Sequence, residues 1–245
     1  MMEHLPNSNS KYKDVEYWDD RYKTEHSFEW FGDLSKFHHL LQDSVNKEDS
    51  ILVLGCGNSA MSVDLYEAGF TRITNIDYSA ICIDTMAGRH SNCAGMSWLC
   101  MDARRLEFGD GAFDVVLEKG TLDAMLVEEK DPWRVSEETA RLMHEVLTEV
   151  SRVLKPGGRF VSVTFAQPHF RKRLYARRQY GWSIRHHTYG HGFHYFLYVL
   201  TKGEELSEED SALEQRVLLE AEAPPTADVT FQEEESEDFL TNINL

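Results

Sequence analysis

Cysteine is scarce in this sequence, and its placement excludes two classes at once. Cys56, Cys82, Cys93 and Cys100 include no C-x-x-C pair and stand in no Cys/His grouping of zinc-finger spacing, so neither a secreted disulfide scaffold nor a structural zinc site is expected, and the compartment should be a reducing one. Long apolar runs are also missing. The longest, around Phe193 to Leu200, falls far short of the ~18 residues a membrane span needs. The opening MMEHLPNSNS lacks a basic patch followed by an apolar stretch, so a soluble cytoplasmic protein without membrane contact is expected. Proline and glycine, at 6 and 15 in 245 residues, are too few and too scattered for a fibrous or low-complexity chain. Positive charge is nearly absent from the C-terminal end, where Glu204 to Leu245 hold 14 acids against the single Arg216. That stretch carries −13 of the net −17, and residues 1–203, with 28 acids and 24 bases, are close to neutral, which argues against direct nucleic-acid binding.

What is present has the grammar of an α/β domain. From 51 to 165, short apolar runs alternate with amphipathic stretches, as βαβ units around a parallel sheet require. ILVL (51–54), RITNID (72–77), MSWLC (96–100), FDVVLE (113–118) and RFVSVTF (159–165) read as strands. Helices are expected over 60–68, over 79–89 with Ser79 as cap, and over 136–154, where Leu142, Val146, Leu147, Val150 and Val153 form one stripe ended by Pro156-Gly157-Gly158. Two β-rich stretches follow, 180–190 and 193–202, with only a Tyr-Gly-His-Gly segment between them, and read as an antiparallel hairpin. Residues 204–238 read as a disordered or loosely docked extension, apart from an amphipathic helix through Leu206, Leu213 and Val217, with the final DFLTNINL apolar enough to dock back. Arg171, Lys172, Arg173, Arg177, Arg178 and Arg185 form a basic cluster, either a solvated helix face or a surface for an acidic partner.

The most informative segment is LVLGCGNS (52–59), a buried strand running through a glycine turn into a helix N-terminus, where a ligand can approach bare backbone N–H groups. Asp77 ends the next strand 20 residues after Gly57, where a carboxylate can accept hydrogen bonds from both hydroxyls of a ribose. The two together point to an adenosine-containing cofactor, either a dinucleotide or S-adenosyl-L-methionine. The third glycine of a dinucleotide fingerprint is replaced by Ala60, and Asp102 after the third strand is placed to reach an adenine amino group.

With LKPGGRF (154–160) and the terminal hairpin, this pattern resembles the seven-stranded class I methyltransferases over residues 51–202. The fold this implies is a Rossmann-like doubly wound sheet of seven strands, mostly parallel with an antiparallel C-terminal hairpin. A closer resemblance lies in EYWDDRY (16–22), FEWFGD (28–33), IDYS (76–79) and VLEKGTLDA (116–124). These look like the methyltransferase-like proteins that methylate lysine on translation elongation factor 1-alpha. The resemblance implies a protein-lysine N-methyltransferase with that factor as protein partner. The chain is expected to divide into an N-terminal helical lid (1–50), a methyltransferase domain (51–203) and an acidic extension (204–245), and the resemblance implies cofactor contacts from Trp18, Tyr22, Trp30, Gly55, Asp77, Tyr78, Asp102, Ala103 and Lys119.

The residue chemistry is compatible with those roles. Trp18 and Tyr22, four apart, share a helix face, and an aromatic face attracts a sulfonium cation. Lys119 closes a strand where open α/β sheets place ligands, with an ion pair to Glu118 or Asp123 as the structural alternative. A lysine acceptor must lose its proton, so Glu118 and Asp123 are the candidate catalytic groups, with no metal expected. His169, His186, His187, His191 and His194 cluster in sequence near the hairpin and read as surface or packed histidines. Small-molecule methylation, and a silent module that binds the cofactor, stay open on the residues alone.

Overall fold

A computed structural model describes residues 6–131 and 135–222. Helix α1 (Val15–Thr24) and the single turn α2 (His38–Leu41) precede the sheet. The chain then alternates through β1 (Ile51–Leu54), α3 (Met61–Glu67), β2 (Ile73–Asp77), α4 (Ala80–Arg89), β3 (Met96–Cys100) and β4 (Phe113–Lys119). Helices α5 (Thr121–Met125) and α6 (Glu137–Val153), strand β5 (Leu154–Thr164), α7 (Pro168–Tyr175), β6 (Trp182–Tyr189), β7 (Tyr195–Lys202) and α8 (Glu208–Glu222) complete it.

The seven strands lie in the order β3-β2-β1-β4-β5-β7-β6. β1 to β5 run parallel, β7 is antiparallel to β5, and β6 is antiparallel to β7. The direction of winding reverses between β1 and β4, and at such a switch point the crevice beyond the strand ends opens toward ligands. Alternation puts Leu52 and Leu54 on the face covered by α6, with Val146, Leu147 and Val150, while Ile51 and Val53 face the other side with Phe37, Leu41 and Leu65. The chain from Leu34 to Val45 is therefore sheet core, and only the portion before it covers the crevice.

The expected strands and the hairpin are present, and Ser79 caps α4 by accepting from the Cys82 N–H at 3.1 Å. The end of α6 differs from expectation. Leu154 is already extended and pairs with Phe113, and the Lys-Pro-Gly-Gly run is an irregularity inside β5 rather than a stop before it. The larger difference is at the C-terminal side. Helix α8 is not loosely attached: Leu206 and Leu213 pack on the core, Lys172 pairs with Asp210 at 2.8 Å, Arg178 with Glu214 at 3.3 Å, and Arg173 with Glu220. For Lys172, Arg173 and Arg178 the acidic partner is thus this chain's own helix. The final DFLTNINL lies outside the described residues. Among those described, no helix is long and apolar enough to cross a membrane.

Candidate active site

β1 ends in a turn whose glycines have φ of 59° at Gly55 and 51° at Gly57, a left-handed conformation that favours glycine. A Cβ on Gly55 would stand 2.3 Å from the Thr121 hydroxyl, which donates to the Leu54 carbonyl at 2.9 Å. Sequence reasoning attributed this glycine to ligand approach; the packing of α5 already requires it. Asp77, at the end of β2 and 4% exposed, accepts from Gly57 N–H and Ser79 N–H, both at 3.0 Å. Burial pushes its carboxyl up to about 6, against the pull of those backbone donors. A carboxylate has about four acceptor positions, so these donors do not exhaust it and acceptor capacity remains for a ligand. Tyr78 beside it is exposed and lines the same cavity, as do Asp102 and Ala103. Both oxygens of Asp102 are held by the Arg104 guanidinium at 2.5–3.0 Å, which keeps its carboxyl below the usual range. An adenine amino group would have to share that carboxylate with Arg104.

The N-terminal segment is latched over this turn. Trp18 and Tyr22 stack at 5.6 Å, as their spacing predicts, and Trp18 Nε1 donates to the Tyr12 carbonyl at 2.8 Å. The Tyr22 hydroxyl stands over Gly57, 3.0 Å from where a Cβ would be. Asn58 Nδ2 donates to the Glu25 carbonyl at 3.0 Å. Glu29 accepts from Ala60 N–H at 2.6 Å, the Ser59 hydroxyl at 2.8 Å and Lys119 Nζ at 2.8 Å, and Lys119 Nζ also donates to the Trp30 carbonyl at 2.8 Å. The ammonium of Lys119 is therefore committed to the latch, and its ion-pair partner is Glu29, not Glu118 or Asp123. Tyr12 and Glu29 were missed by sequence reasoning, although an acid inside the aromatic run FEWF was a signal for the second.

The two candidate catalytic carboxylates separate. Glu118 is fully buried and absent from the cavity wall. It accepts from Thr121 N–H at 3.1 Å, Leu122 N–H at 3.2 Å and the Ser162 hydroxyl, so it caps α5 rather than meeting an acceptor. Burial, helped by the nearby Asp123 charge, raises its pKa. Asp123 does line the cavity. Its Oδ1 accepts from Arg171 Nη2 at 2.5 Å and Thr164 Oγ1 at 2.6 Å, while its Oδ2 has no partner among the described residues. Arg171, read in the sequence as part of a basic cluster, is 1% exposed and lines the same wall, with Nε and Nη1 unpartnered among the described residues. Phe165, Phe170, Phe193 and Phe196 supply an aromatic border to this end of the cavity, which totals about 1970 Å³. Of the five histidines noted near the hairpin, only His194 lines it.

Residues 52–162 match the family described as a methyltransferase domain. The chain is 48% identical over 244 residues to the EEF1A lysine methyltransferase 4 of Mus musculus, covering 98% of this chain and 95% of that protein. It is 39% identical over 189 residues to the eEF1A lysine and N-terminal methyltransferase of Mus musculus, covering 75% of this chain and 26% of that longer protein. Among solved structures, the N-methyltransferase NodS from Bradyrhizobium japonicum, in complex with S-adenosyl-L-homocysteine, shares the fold with a TM-score of 0.51 at 15% identity, covering 82% of this chain and 92% of that one.

Proposed function

This chain belongs to the methyltransferase family that includes the EEF1A lysine methyltransferases, and from that premise we propose that it transfers a methyl group from S-adenosyl-L-methionine to a lysine side chain of translation elongation factor 1-alpha. The observation that carries the reading is the near-full-length likeness to the mouse enzyme, at 48% identity. The cavity fits the cofactor: a buried carboxylate with free acceptor positions, Asp77, stands between a glycine turn and the exposed ring of Tyr78. Asp77 would hold the ribose hydroxyls, Tyr78 and Ala103 would flank the adenine with Asp102 at its edge, and Trp18, Tyr22 and Trp30 would cover the methionine end. Lys119 contributes by tying Trp30 down rather than by offering its ammonium. The cofactor, when bound, supplies a sulfonium-linked methyl as electrophile.

What the chain itself must do is align an amine and exclude water. The segment ahead of Leu34 acts in this reading as the lid. Asp123, tied to Arg171 and Thr164, places a carboxylate in the wall at the aromatic end, where the low-polarity surroundings favour the neutral amine that attacks. Within the 204–222 segment, Leu206 and Leu213 of this acidic stretch pack on the core. Incubating the protein with methyl-labelled cofactor and a cell lysate tests the substrate class. One labelled band at the size of the elongation factor is expected; label confined to small molecules would replace the reading with a small-molecule methyltransferase, and cofactor binding without label would leave a silent module.

A further inference from the structure

The cysteine spacing offers no metal motif, yet the fold brings two thiols and a carboxylate together. The glycine turn points Cys56 inward, and the first turn of α4 presents Cys82 beneath it; the two are 5% and 1% exposed. Cys56 Sγ, Cys82 Sγ and a carboxylate oxygen of Asp77 lie within 4.8 Å of one another. In a tetrahedral zinc site, bonds of about 2.3 Å to sulfur and 2.0 Å to oxygen separate the ligand atoms by a little under 4 Å, so small side-chain adjustments suffice to close them on one ion. Thiolate sulfur selects soft cations over calcium or magnesium. An ion has a way in, because Cys56 and Asp77 both line the large cavity.

We propose that Cys56, Cys82 and Asp77 form a site for one thiophilic divalent cation, zinc or cadmium, and that this cation and the cofactor exclude each other. The exclusion follows from the acceptor positions on Asp77. One on each oxygen is used by Gly57 N–H and Ser79 N–H. Those remaining are the ones a ribose would use, and a cation drawing on them leaves the ribose hydroxyls without their acceptor. This half of the proposal rests on the cofactor reading above; the metal site itself does not.

The test uses the full chain with Cys93→Ser and Cys100→Ser, so that only the two buried thiols report. Titration with cadmium should give a thiolate-to-metal charge-transfer absorption saturating at one ion per chain, and zinc should displace it. Cys82→Ser, and independently Cys56→Ser, should lose most of that absorption while circular dichroism stays unchanged. Excess S-adenosylhomocysteine should weaken cadmium binding at least tenfold. No absorption, or an absorption that survives in both serine variants, overturns the site. Cadmium binding undiminished in protein that calorimetry shows to be saturated with S-adenosylhomocysteine overturns the exclusion. If calorimetry finds no S-adenosylhomocysteine binding to the metal-free protein, the cofactor reading fails and the cadmium titration alone decides the site.

Discussion

Asp77 and Glu118 are both buried carboxylates at strand ends, and their hydrogen bonds assign them opposite work. Asp77 accepts from backbone N–H groups and keeps acceptor capacity on the cavity wall, whereas Glu118 spends its own on α5 and Ser162. Replacing Asp77 with alanine should raise the cofactor dissociation constant by about 10- to 150-fold, the equivalent of ~1.5–3 kcal/mol for hydrogen bonds to a charged acceptor; calorimetry checks it, and unchanged affinity would remove Asp77 from the site. Glu118 predicts a pH effect. Its pKa is raised by burial above the ordinary value of 4.5, so the protonated form is favoured in the folded protein. That contribution is complete below 4.5 and is lost as pH rises through the folded-state value. Glu118→Gln keeps the cap without ionising, so the midpoint of thermal unfolding of the natural protein should fall relative to the variant as pH rises from about 4.5 toward neutrality. Parallel curves would show that Glu118 ionises without cost. Asp77 was legible in the sequence because its spacing from Gly57 is fixed by one βαβ unit. Arg171 was not, because sequence charge carries no sign of which arginine in a cluster turns inward.

At the scale of elements, the N-terminal latch and α8 are attached by different physics. The latch depends on Glu29, which joins the N-terminus of α3, the end of β4 and the backbone at Trp30 through Lys119. Glu29→Ala leaves a buried ammonium with one carbonyl partner and frees the segment, so KM for the cofactor should rise several-fold and kcat should fall, with less effect on thermal stability than on turnover. Steady-state kinetics with unchanged KM and kcat would mean the latch plays no part. The lid's aromatics were legible through the four-residue spacing of Trp18 and Tyr22, but its closure, made by contacts some 30 to 90 positions apart in sequence, was not. Helix α8 was half legible: its apolar spacing was visible, but its ion pairs to α7 depend on a fold that brings 172 next to 210. Ending the chain after 203 should therefore cost about 2–4 kcal/mol relative to ending it after 222, through lost burial and unpaired Lys172 and Arg173. Equal denaturant midpoints for the two truncations would contradict a docked helix.

For the whole molecule, the strand order, the winding reversal and the cavity at the reversal follow from alternating apolar runs, which is why the architecture was readable from the sequence. The division of the polar groups inside that cavity depends on side-chain direction, which periodicity does not carry. The account's central claim is that the cavity holds S-adenosyl-L-methionine with its methyl group directed at a lysine of the elongation factor. The most direct measurement is peptide-mapping mass spectrometry of purified elongation factor 1-alpha after incubation with the cofactor and either the natural protein or Asp77→Ala. The account predicts methylation concentrated on one lysine with the natural protein and strongly reduced with the variant. An elongation factor left unmodified by the natural protein, or modified equally by both, would contradict it.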